Sequence, residues 1–155
     1  NSILINLRLE GPLFSGASIS YANIGVDINL KSSILLETET LSYNPIYAEV
    51  PRVNVLCMKQ EEIFAEKIRA LMTRKRARDL FDLNFLMENG IYAAKDIIKR
   101  KMEYYDADFD INKLISGVNE LENQWENELK GFVLNLPDFD AVRGRVVRQI
   151  CNLYK

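Results

Sequence analysis

The 155-residue chain is predicted to fold as an α+β protein, with N-terminal antiparallel or mixed β-strands followed by a C-terminal helical bundle. Three observations carry this. The first third alternates apolar and polar residues with a period of two. After Met58 the apolar spacing becomes helical. Turn signals, not low-complexity tracts, separate the segments. The expected division is a β-rich part over 1–58 and a helical bundle over 59–155.

In chain order, Ile3, Ile5, Leu7 and Leu9 alternate with Leu4, Asn6, Arg8 and Glu10, which predicts a strand ended by Gly11-Pro12. Ile24, Val26, Ile28 and Leu30 share one face of a second strand, with Gly25, Asp27, Asn29 and Lys31 on the other. Residues 31–52 read as irregular, with turns at Asn44-Pro45 and Val50-Pro51. Val53, Val55 and Cys57 suggest a short strand. Helices are expected at about 59–74, 77–89, 92–104, 111–129 and 139–153. Asn89-Gly90 reads as a helix stop and Asp110 as an N-cap.

Composition removes several chemistries. Hydrophobic residues make up 48% of the chain, which supports a buried core. There is no histidine, so neither a Ser-His-Asp nor a Cys-His site can be built. The two cysteines, Cys57 and Cys151, form no C-x-x-C pair. With no apolar run long enough for a membrane span and no visible signal peptide, a reducing cytoplasm is expected. What remains is carboxylate, Lys and Arg chemistry, with Mg²⁺ as the natural metal.

Net charge is -2, but it is unevenly spread. Residues 59–105 hold 11 basic and 8 acidic groups, whereas 106–140 hold 2 basic and 9 acidic ones. Two basic stretches thus flank an acidic one and, if they meet in space, can attract phosphate.

The segment EEIFAEKIRALMTRKRARDLFDL, residues 61–83, is the most informative. On its first helix Lys67 and Arg74 lie within about 20° of each other, at the edge of the apolar stripe. Glu62, Glu66 and Arg69 occupy the opposite, solvent-like arc. A Lys in such a stripe either snorkels over a core edge or lines a cleft with a partner. On the next helix Asp79 points from an apolar face, and Asp82 is spaced to pair with Arg78. Asp79 either accepts from free backbone N–H groups of the first turn or faces Lys67 across the two helices. Arg74-Lys75-Arg76-Ala77-Arg78 places four cations at the junction, suited to a triphosphate or an RNA backbone, or simply to a solvated loop.

These residues resemble the AbiEii/AbiGii-type nucleotidyltransferase toxins. The likeness lies in Lys67, Ala70 and Arg74 on one helix, followed by Arg78-Asp79-Leu80-Phe81-Asp82 on the next. Val26-Asp27-Ile28 is similar to the strand carrying the third carboxylate of that fold, so the N-terminal strands would be the remainder of a nucleotidyltransferase-like sheet. The resemblance implies Mg²⁺-dependent transfer of a nucleoside monophosphate from an NTP to an acceptor, with the 3′ end of tRNA expected. It also implies a role in phage defence or growth arrest, with a cognate antitoxin. Lys67 would contact nucleotide phosphates, with Arg74 and Arg78 in support. Asp79 or Asp82 would be the later catalytic carboxylate, and Asp27 a metal ligand.

The family also carries a Gly-Ser element and an Asp-x-Asp pair, and neither stands upstream of Asp27. The chain is therefore expected to be the C-terminal part of a longer protein, as its start at Asn1 also suggests. The alternative is a catalytically inactive relative acting as an RNA- or protein-binding module. The acidic 106–140 segment motivates a third reading, an antitoxin-like or oligomerising helical module.

Overall fold

A computed structural model describes residues 2–30 and 33–154. Among the described residues, short antiparallel strands precede six α-helices, so the α+β class holds. The chain divides into two compact units, Asn1–Ser33 and Ile34–Lys155.

The first unit is a hairpin of β1 (Ser2–Leu9) and β2 (Ala22–Asn29). Its register pairs Ile3 with Ile28, Ile5 with Val26 and Leu7 with Ile24, so the two apolar rows share one face. Asp27 sits on the other face, opposite Leu4. The connection is ordered locally. Ser20 Oγ donates to Ala17 O at 2.7 Å and accepts from Ser15 N at 3.0 Å, and Phe14 lies against Tyr21.

The second unit opens with β3 (Glu39–Tyr43) and β4 (Val53–Cys57), paired antiparallel with Leu41 opposite Val55. β3 lies in the stretch expected to be irregular. Five residues with one clear apolar pair make a weak period, and the partner that stabilises it lies beyond an intervening turn.

The helices are α1 (Gln60–Thr73), α2 (Ala77–Glu88), α3 (Lys95–Tyr104), α4 (Ile111–Asn119), α5 (Glu122–Leu129) and α6 (Phe139–Leu153). Gly90, at φ +73°, closes α2 in the left-handed conformation that glycine adopts without strain. Asp110 caps α4, accepting from Asn112 N at 2.8 Å and Lys113 N at 3.1 Å. Asp138 caps α6 through Ala141 N.

The single helix expected over 111–129 is broken at Glu120-Leu121. The break lets α4 lie against α1 and α6 while α5 lies against α2. Leu121 is fully buried at the junction. Phe64, Ile68, Leu80, Leu83, Ile98, Leu114, Val118, Val146 and Ile150 form the core between these helices. Trp125 joins them and donates Nε1–H to Pro137 O at 2.9 Å.

The arc of α1 expected to face solvent does not. Glu62 is 0% exposed, as is Lys101 of α3, whose Nζ lies 2.6 Å from Glu62 and 2.9 Å from Glu66. Glu62 also accepts from Leu35 N at 2.7 Å and Leu36 N at 2.9 Å. Burial alone would raise this carboxyl. The Lys101 ammonium and the two amides outweigh it and hold the group below its usual range. A helical wheel scores Glu62 as a surface residue because it counts polarity, not the partner supplied by another helix.

Candidate functional site

The sharp turn between α1 and α2 brings the cationic edge of one helix against the first turn of the other. Arg74 N and Lys75 N both donate to Ala70 O, and Lys75 takes φ +47°, a left-handed conformation uncommon for a side-chain-bearing residue. The reversal places Lys67 and Arg74 beside Asp79.

Asp79 is the hub. It is 1% exposed and accepts from Arg74 Nε through Oδ2 and from Arg74 Nη2 through Oδ1, each at 2.8 Å. Lys67 Nζ donates to Oδ1 at 3.2 Å. Burial disfavours the charged form, but the Arg74 guanidinium and then the Lys67 ammonium override it, so the carboxyl lies below its ordinary range. Arg74 is correspondingly pushed up, chiefly by its bond to Asp79. The oxygens thus go to cations from the facing helix, one of the two arrangements open in the sequence.

Asp82 lies one turn further along α2, and its Oδ2 is 2.6 Å from Lys67 Nζ. The expected Arg78–Asp82 pair is not formed among the described residues. The Lys67 ammonium, already held beside Asp79, draws Asp82 instead, and an exposed i,i+4 pair is worth only a few tenths of a kcal/mol, about 0.3–0.5. Arg78 stays exposed and makes no ion pair with a described residue.

The basic run is not one continuous patch. Lys75 Nζ reaches Glu120 at 2.7 Å, and Arg76 reaches Glu128 at 3.0 Å. The Lys75 stem crosses Gly117, where an added Cβ would come within 3.3 Å of Lys75 Cε. The acidic α4–α5 region thus neutralises two of the four cations and straps the turn down. Of the other two, Arg74 turns back to Asp79 with its side chain 60% exposed, and Arg78 makes no ion pair with a described residue. Sequence spacing gave no sign of Glu120, Glu128 or Gly117, because each meets the turn from more than 40 residues away.

Asp27 belongs to the first unit, exposed on β2. No group of three or more His, Cys, Asp or Glu that could hold a metal ion occurs among the described residues. Both Asp79 oxygens are engaged by cations, and one Asp82 oxygen is held by Lys67. Asp79 therefore has no oxygen left to face an ion, while Asp82 keeps its second oxygen clear of Lys67. Asp110 is engaged in the α4 cap, and Asp106 and Asp108 lie in the loop before it. No helix among the described residues is long and apolar enough to cross a membrane.

The family model described as "Nucleotidyl transferase AbiEii toxin, Type IV TA system" matches residues 10–145, most of the chain. No curated relative and no solved structure matches.

Proposed function

The chain belongs to the AbiEii nucleotidyl transferase toxin family of type IV toxin–antitoxin systems, and on that premise we propose that its α1–α2 cluster is the phosphate-handling part of a nucleotidyltransferase site. The observation that carries this is Asp79, a buried carboxylate that holds Lys67 and Arg74 together at one surface. Lys67 takes a phosphate oxygen of an NTP. Arg74, with its side chain 60% exposed, and the exposed Arg78 extend the reach along the phosphates.

The chemistry asked of these residues is positioning and charge neutralisation. Phosphoryl-type transfer spreads negative charge over the phosphate oxygens, and cations already fixed before reaction need no reorganisation when that charge develops. Asp79 supplies the fixing and is a positioning residue, since its own oxygens are fully engaged. The group transferred is a nucleoside monophosphate: an RNA hydroxyl, with tRNA the expected acceptor, forms the new bond to the α-phosphorus as the α–β phosphoanhydride breaks and pyrophosphate leaves. A cognate antitoxin and a cytoplasmic setting complete the reading. Mg²⁺ is the expected metal, and no group of three metal-binding side chains occurs among the described residues.

The test is transfer of label from each NTP to total tRNA by the native gene product. Transfer that disappears in Lys67→Ala, with the fold retained, supports the reading. RNA binding without transfer, indifferent to Lys67, would instead favour the inactive, RNA-binding relative.

A further inference from the structure

We propose that Asp82 is a displaceable counter-ion on the Lys67 ammonium, so that a phosphate ligand enters the site by exchanging with the Asp82 carboxylate, and a ligand carrying several negative charges, such as the triphosphate of a nucleotide, most readily offsets that exchange. The proposal rests on the reading of Lys67 and Arg74 as a phosphate site and adds how a ligand enters it.

Lys67 has two carboxylate partners of opposite character. Asp79 is 1% exposed and bound through three contacts, so it cannot leave. The Asp82 side chain is 46% exposed, meets one cation through one oxygen and stands beside water. Moving it into solvent opposes ligand entry by a factor of about five at most, the range of an exposed ion pair.

Charge gives the selectivity. Lys67 and Arg74 carry two positive charges and Asp79 and Asp82 two negative ones, so the closed cluster is neutral. A small anion that takes the place of Asp82 on Lys67 exchanges one anionic contact for another and gains little. A triphosphate gains more. It covers Lys67 with one phosphate and reaches the exposed parts of Arg74 and Arg78 with the others, contacts that Asp82 cannot make from its single position. Asp82 thus lowers the affinity of every anion that uses Lys67, and the contacts to Arg74 and Arg78 decide which anion binds in spite of it.

Calorimetric titration with tripolyphosphate, and separately with inorganic phosphate, tests this in a metal-chelating buffer, so that no divalent ion contributes. Wild type is expected to bind tripolyphosphate and to show no saturable binding of inorganic phosphate. Asp82→Asn is expected to bind tripolyphosphate about fivefold more tightly, while inorganic phosphate, which lacks the reach to Arg74 and Arg78, stays far weaker than tripolyphosphate. Asp82→Ser, which also lacks the charge, should behave alike and guards against an effect of the amide. Lys67→Ala should bind neither anion. If Lys67→Ala abolishes tripolyphosphate binding but neither Asp82 variant binds more tightly, the phosphate site stands and the counter-ion proposal is overturned. If no tripolyphosphate binds to wild type or to the Asp82 variants, or if Lys67→Ala binds as wild type does, the phosphate-site reading falls and the proposal with it.

Discussion

Arg74 and Asp79, five residues apart across a helix–helix turn, form a two-pronged pair with both N–H···O distances at 2.8 Å. Such a fork fixes the guanidinium plane as well as its position, which a lysine at 74 would not do. Arg74→Lys is therefore expected to fold normally but to weaken triphosphate binding by about tenfold, the loss of one charge-assisted bond. Calorimetry on the purified variant checks it, and unchanged affinity would show that the fork has no part in binding.

Asp79→Asn should lower stability by about 1–3 kcal/mol, since the buried side chain loses its charge against two cations. Lys67→Ala should cost less, about 1 kcal/mol, because Arg74 still satisfies Asp79. Urea denaturation of the two variants gives the order directly.

On α3, Lys101 depends on Glu62 and Glu66 for its charge partners. Glu62→Ala removes one of them and also leaves the Leu35 and Leu36 amides without their acceptor. The expected loss is about 3–5 kcal/mol, the range for breaking a buried pair from one side. Replacing Glu62 with Gln keeps an acceptor for the amides and should cost less than Ala. Thermal unfolding of the two variants separates these cases.

Acid should unfold the protein through the same two carboxylates. Asp79 and Glu62 are both held below their ordinary values of 3.8 and 4.5. Their contribution is thus complete above those values and is lost as pH falls through the lower folded-state ones. Unfolding free energy measured from pH 6 downward should fall more steeply for wild type than for Glu62→Gln. Parallel curves would contradict the assignment.

How much of this was legible depended on distance along the chain. The α1–α2 pattern is local, so periodicity placed Lys67 and Arg74 on one edge of α1 and Asp79 on an apolar face of α2, left open whether they meet, and the resemblance gave them roles. The hairpin rows Ile3–Ile5–Leu7 and Ile24–Val26–Ile28 were legible for the same reason. β3 was not, because five residues carry too little period. The break at Glu120-Leu121 was hidden, since the apolar spacing continues through it to Trp125 and Leu129. Glu62 and the Lys75–Glu120 pair were hidden because their partners come from remote helices.

The strained turn gives a paired test. Lys75 holds φ +47°, which glycine adopts freely and a β-branched residue resists. Lys75→Gly should leave stability within about 0.5 kcal/mol, as relief of strain offsets the lost Glu120 contact. Lys75→Val should cost about 2 kcal/mol by adding strain to that loss. Melting temperatures of the two variants decide it.

The central claim is that phosphate is taken by the Asp79-organised cluster and not by the basic run as a whole. The most direct measurement compares NTP affinity in Lys67→Met, Arg74→Met and Arg76→Met. Arg76 pairs with Glu128 instead and lies outside the Asp79 cluster. A loss of about tenfold or more is expected for the first two and wild-type affinity for the third. An equal loss in all three would mean that diffuse positive charge, not this cluster, binds the nucleotide.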